Sequence, residues 1–87
     1  MWYVYVIQSQ KNPNWFYKGS TSDLNRRFIQ HKNGEVQSTK FYRPLRLVYY
    51  EAYLSESVAR KRESSIKNSG SVWKPLMDRI KLSLEDE

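Results

Sequence analysis

The sequence predicts an α+β domain in which helices cover a three-stranded antiparallel sheet, in the order ββαβαα. Three observations carry this. Two β-branched and aromatic runs, "WYVYVIQ" and "WFYKG", flank the turn cluster "SQKNPN", the pattern of a hairpin. A third such run, "LRLVYYEAYL", stands alone between two stretches of helical spacing. The 87 residues suffice for one core and no more.

Each element has its own signals. "STSD" offers N-cap residues for a first helix beginning near Asp23, with Leu24 and Phe28 four apart on its core side. Asn33-Gly34 ends that helix, the glycine free to take the left-handed conformation. In the third strand, alternation places Leu45, Leu47 and Tyr49 on one face. Ser55 is the expected N-cap of a second helix with Val58, Arg62 and Ile66 near one stripe and Ala59 and Glu63 beside it. Asn68 or Gly70 ends it. A short final helix follows, with Pro75 in its first turn and Trp73, Leu76 and Ile80 as its apolar face. The domain is expected over residues 1–82, with 83–87 an acidic, frayed tail.

Composition narrows the function. With no cysteine, disulfide staples and thiolate metal sites are excluded, and a reducing cytoplasm fits best. No run reaches the ~20 apolar residues of a membrane span, and the N-terminus reads as a strand, not a signal peptide. The net charge of +6 lies in residues 1–50, where eight Lys/Arg face Asp23 and Glu35; residues 51–87 hold seven of each sign. A basic half beside a neutral half fits a face that attracts polyanions, or a merely solubilising surface. Lys18, Arg26, Lys40, Arg43 and Arg46 are the candidate phosphate contacts.

Arg27 and His31, the chain's one histidine, share a helical stripe and form a donor pair. Spacing alone fits an anion site or a solvated face. Tyr5 and Tyr17 lie on the two hairpin strands and can share a face, as core packing or as part of a site. Glu63 stands among Arg60, Lys61, Arg62 and Lys67. It reads as a salt-bridge partner of Lys67, or as the single carboxylate that Mg²⁺ can use when water and phosphate complete its shell. No second histidine exists for a transition-metal site, and Gly19, Gly34 and Gly70 are too scattered for a phosphate-cradling loop.

Together, "YVY" at 3–5, "YKG" at 17–19, the S-x-x-D-L-x-x-R-x-x-x-H run and a later helical glutamate resemble the GIY-YIG nuclease domain. "GSTSDLNRR", "STKFYRPLRLVYYE" and "SESVARKRE" resemble its small stand-alone bacterial branch, over about residues 1–81. The resemblance implies hydrolysis of phosphodiester bonds in DNA, in repair or recombination, with one Mg²⁺ or Mn²⁺ ion. By position, Tyr5 and Tyr17 match the tyrosines of the two motifs, Arg27 the catalytic arginine, His31 an active-site position one turn on, and Glu63 the metal-binding glutamate. Asn68 is the nearest match to a late asparagine of the family. Tyr3 stands where the first motif has glycine and Lys18 where the second has an apolar residue; strand alternation turns Lys18 away from Tyr17. A tyrosine, Tyr5 first, is expected to take the proton of the attacking water, its pKa lowered by Arg26, Arg27 and the metal, with help from His31. Specificity is left to a partner protein. The competing reading is a non-catalytic binding module of the same fold, with Trp15 and Tyr42 stacking on bases.

Overall fold

The computed structural model describes residues 1–86. Its elements are β1 (Trp2–Ser9), β2 (Phe16–Thr21), α1 (Leu24–Lys32), a one-turn 3₁₀ helix (Lys40–Tyr42), β3 (Leu45–Tyr53), α2 (Glu56–Asn68) and α3 (Gly70–Glu85). The order ββαβαα is as expected from the sequence. The sheet runs β2-β1-β3 and is antiparallel throughout, so β1 is central and β2 is an open edge.

β1 is buried on both faces and packs against a hydrophobic layer on each. Val4 and Val6 join Ala59 and Ile66 of α2 and Leu76 and Ile80 of α3. Tyr5 and Ile7 point the other way, packing with Leu45 and with Leu24 and Phe28 of α1. Burying such a side chain contributes roughly 1.5–3 kcal/mol, so these two layers hold the sheet between α1 and the α2–α3 pair.

β3 departs from simple alternation. Leu47 pairs with Ile7 and Tyr49 with Val6, leaving Val48 as an extra residue in the ladder. The bulge sends Leu45 and Leu47 to the α1 side but Val48, Tyr49 and Tyr53 to the α2–α3 side. Tyr49 therefore does not share a face with the two leucines. Beside it, the Glu51 carboxylate accepts from the Tyr49 hydroxyl, from Tyr53 at 2.5 Å and from both Nε and NH2 of Arg62.

The caps follow the sequence closely. The Asp23 carboxylate accepts from the Arg26 backbone at 3.1 Å, and the Ser55 hydroxyl from that of Val58. Gly34 ends α1 with φ +77°. In α2, Ala59 and Ile66 form the buried stripe while Val58 is exposed. Ser69 both ends α2 and starts α3, so α3 begins at Gly70 and Pro75 lies inside the helix, past its first turn. Pro75 is exposed, and the carbonyl that loses its partner belongs to exposed Ser71, within reach of water. Trp73, Leu76 and Ile80 form the apolar face as expected. The helix continues through Glu85, into the stretch 83–87 expected as a tail; Glu87 lies outside the described residues.

Candidate active site

Consecutive residues of β2 address opposite faces of the sheet, and the site is built around that fact. Gly19 pairs with Tyr5 and faces α1; Ser20 pairs with Val4 and faces α2. On the α1 side a cleft of about 310 Å³ is lined by Ser20, Thr21, Arg26, Arg27 and Gln30. On the α2 side a cleft of about 340 Å³ is lined by Ser20, Arg60, Glu63, Lys67 and Asn68. The two meet at Ser20, on the open rim of the sheet.

Gly19 is not a turn residue. β2 runs on to Thr21, and Gly19 lies inside it without a positive φ. Its role is space. A Cβ there would sit 2.6 Å from Tyr5 Oη and 2.7 Å from Cζ. The missing side chain lets the Tyr5 phenol lie against the β2 backbone.

Tyr5 is 1% exposed, and its Oη is 2.9 Å from His31 Nε2. His31 is fully buried, with Nδ1 2.8 Å from Thr39 Oγ1. Burial, aided by the Arg27 charge, lowers the His31 pKa to about 4, so the ring is neutral at physiological pH. This arrangement allows Nδ1–H to donate to Thr39 while the phenol donates to Nε2. Tyr17 is half-buried on the same face, its ring 5.3 Å from that of His31 and 6.4 Å from that of Tyr5.

Within the protein itself, burial works against an acidic phenol. Burial raises the Tyr5 pKa to about 12; the nearby Arg27 guanidinium pulls it down but does not prevail. Arg26 plays no resolved part. The phenol of this state keeps its proton, and His31 stands behind it, away from the cleft.

Arg27 NH1 donates to Gln30 Oε1 at 3.0 Å, which steadies the guanidinium on its own helix. Glu63 accepts from the Ser20 hydroxyl through Oε1 and pairs with Lys67 Nζ at 2.7 Å through Oε2. Burial alone would raise the Glu63 carboxyl, but the hydrogen bonds from Lys67 and Ser20 outweigh it and hold the group below the usual carboxylate range. Among the described residues no three His, Cys, Asp or Glu cluster as a metal-binding group. The donor set is one ionised carboxylate lining a cleft, with lone pairs beyond those given to Ser20 and Lys67. That fits a hard cation whose shell is mostly water and phosphate, such as Mg²⁺ or Mn²⁺. Asn68 lines the same cleft and donates to Ser64 Oγ at 3.2 Å.

Of the other candidates, Arg26 alone lines one of the two clefts. Lys18 turns away from Tyr17, as alternation requires, and lies 4.2 Å over the Trp73 ring; burial and Lys67 lower its pKa. Arg26 lines the Arg27 cleft. Arg43 donates to the Lys40 carbonyl at 2.9 Å and lies over Gly34, where a Cβ would meet its Cζ at 2.5 Å. Lys40 Nζ is 5.0 Å from the Phe41 ring centroid, and Arg46 donates to Gln8 Oε1 at 3.0 Å. Trp15 and Tyr42 stack on each other at 3.8 Å and pack against the core, so they are not free platforms for bases. Sequence reasoning missed Ser20, Gln30 and Thr39. Strand alternation was a usable signal for Ser20, two residues from Lys18 on its face. Thr39 and Gln30 carried none.

A family model described as the GIY-YIG catalytic domain matches residues 1–74. A UPF0213 protein of Staphylococcus epidermidis is 42% identical over 66 residues, spanning 75% of this chain and 78% of that protein. UPF0213 proteins of Staphylococcus saprophyticus and Staphylococcus aureus are 38% identical over the same length and shares. No solved structure matches the chain. Among the described residues no helix is long and apolar enough to cross a membrane. With its paired motif tyrosines on one hairpin and a match over 74 residues, the chain belongs to the GIY-YIG nuclease family.

Proposed function

We propose that this protein is a divalent-metal-dependent endonuclease that hydrolyses phosphodiester bonds in DNA at the rim of β2. The observation that carries this reading is convergence at Ser20. The Arg27 cleft and the Glu63 cleft share that residue, and the Tyr5 phenol beside it feels the charges of both Arg27 and Glu63.

The roles follow from the chemistry. Arg27 meets charge on the phosphoryl oxygens; its planar fork suits two of them, and Gln30 keeps it aimed. Glu63, held by Ser20, is the residue that would hold Mg²⁺ or Mn²⁺. The chemistry such an ion supplies is polarisation of a phosphate oxygen and stabilisation of the leaving alkoxide. Tyr5 directs its proton to His31 and leaves its oxygen lone pairs to accept from Arg27 or from an attacking water. His31 acts through Tyr5 as a positioning residue, with Thr39 fixing its tautomer. Tyr17 packs against this pair and limits its movement. Arg26 adds positive charge at the mouth of the Arg27 cleft.

The test is nicking of supercoiled plasmid in Mg²⁺ or Mn²⁺. Arg27→Ala and Glu63→Gln are each expected to lose about a hundredfold or more in rate while remaining folded. Undiminished cleavage by either variant refutes its assigned role. Binding of DNA that persists in EDTA, with no product in either metal, would establish the binding module instead.

A further inference from the structure

A further cleft is distinct from the two that meet at Ser20. It has a volume of about 370 Å³ and lies on the α1 side of the sheet, walled by Tyr3, Phe28, Leu47 and Tyr50. Tyr3 and Tyr50 meet edge to face at 6.1 Å, and Tyr50 is 56% exposed. A tyrosine so exposed on a strand beside a half-open apolar slot is an unfilled contact surface. The cleft shares Ser22 and Asp23 with the Arg26/Arg27 cleft, so an apolar aromatic slot and a cationic pocket are separated only by the first turn into α1. Asp23 lies at this junction, its Oδ1 accepting from the Arg26 backbone N–H at 3.1 Å.

We infer that this cleft is a nucleobase site: it takes the base of the nucleotide whose phosphate lies in the Arg26/Arg27 cleft. An apolar aromatic wall one residue-width from a guanidinium pair has the two-part chemistry of a nucleotide, a flat ring joined through a sugar to an anion. The volume suits one small ring system, at the low end of small-molecule sites. The base it takes must be unstacked, so strand ends, gaps and looped nucleotides are favoured over intact duplex. Tyr3 stands where the first family motif has glycine, so one wall of this cleft comes from that departure. The inference rests on the phosphate reading of the Arg26/Arg27 cleft given above.

The experiment needs no cleavage. A thymidine bisphosphate, phosphorylated on both sugar oxygens, and the matching abasic sugar bisphosphate are titrated into labelled protein without metal. The base is expected to add about tenfold in affinity, the scale of base–aromatic stacking. Amide shifts at Tyr3, Phe28 and Tyr50 should appear only with the base-bearing ligand. Tyr50→Ala, an exposed position, should abolish the increment and leave abasic affinity unchanged; Tyr3→Leu should reduce it. Equal affinity for the two ligands, or an increment that survives both substitutions, overturns the base site alone. If neither ligand binds, the phosphate reading falls and the base site falls with it.

Discussion

Replacing Gly19 with alanine tests the claim that this glycine exists to seat Tyr5. The added Cβ would lie 2.6 Å from Tyr5 Oη, against the 3.4 Å at which ordinary contact begins, so the phenol must retreat by roughly 0.8 Å. Tyr5 cannot retreat freely: it is 1% exposed and packs against Ile7, Leu45 and Tyr17. Overpacking of this kind costs about 1–3 kcal/mol. In a domain of this size each kcal/mol shifts Tm by roughly 4–8 °C, so Gly19→Ala should melt about 4–24 °C lower. Nicking, assayed well below that Tm, should fall further than the residual folded fraction explains, because the phenol leaves its place beside His31 and Arg27. A double-mutant cycle sharpens the point. In the Tyr5→Phe background the oxygen nearest the new Cβ is gone while Cζ remains at 2.7 Å, so Gly19→Ala should cost at least about 0.5 kcal/mol less there. An unchanged melting curve for Gly19→Ala, or strict additivity in the cycle, would refute the reasoning.

Two further outcomes follow from buried polar groups. The folded pKa of His31 is depressed to about 4, below the unfolded value near 6.5, so its contribution to stability is complete above about pH 6.5 and is lost as pH falls toward 4. The loss should reach up to about 1.4 kcal/mol per pH unit across that window, before the depressed carboxyls of Glu51 and Glu63 take up protons, and His31→Gln should flatten the slope. Arg62→Ala should cost about 1–3 kcal/mol in urea denaturation, since the largely buried Glu51 carboxylate would keep only its two phenols. Arg62→Lys should recover only part of this because a lysine cannot donate in the same forked geometry; full recovery would count against the bidentate reading.

The elements were legible because local signals set them: Asp23 and Ser55 cap helices, and Gly34 ends one, through atoms within a few residues. The failures have long-range causes. The Val48 bulge is decided by pairing with β1, so no pattern within β3 announces it and Tyr49 was assigned to the wrong face. Pro75 was read as a helix start, but Ser69, shared by α2 and α3, moves that start back to Gly70. In the site, the residue types were visible and their burial was not. Arg27 near Tyr5 was visible as a charge that lowers the phenol's pKa, whereas the burial that raises it was not. Trp15 and Tyr42 looked like open aromatic platforms until the fold stacked them on each other.

Because the guanidinium and the carboxylate reach the same rim from opposite sides of the sheet, their separation is gauged by the thickness of one extended backbone. A strand turns successive side chains to opposite faces at a fixed rise per residue. The helices behind it can exchange exposed residues without disturbing that spacing, provided Arg27 keeps its place on α1, Glu63 its place on α2, and β2 its register against β1. Variation in this lineage should therefore fall on α3 and on the exposed face of α2 away from Glu63, while a single-residue slip in β2 would exchange Gly19 for Ser20 and dismantle both halves of the site at once.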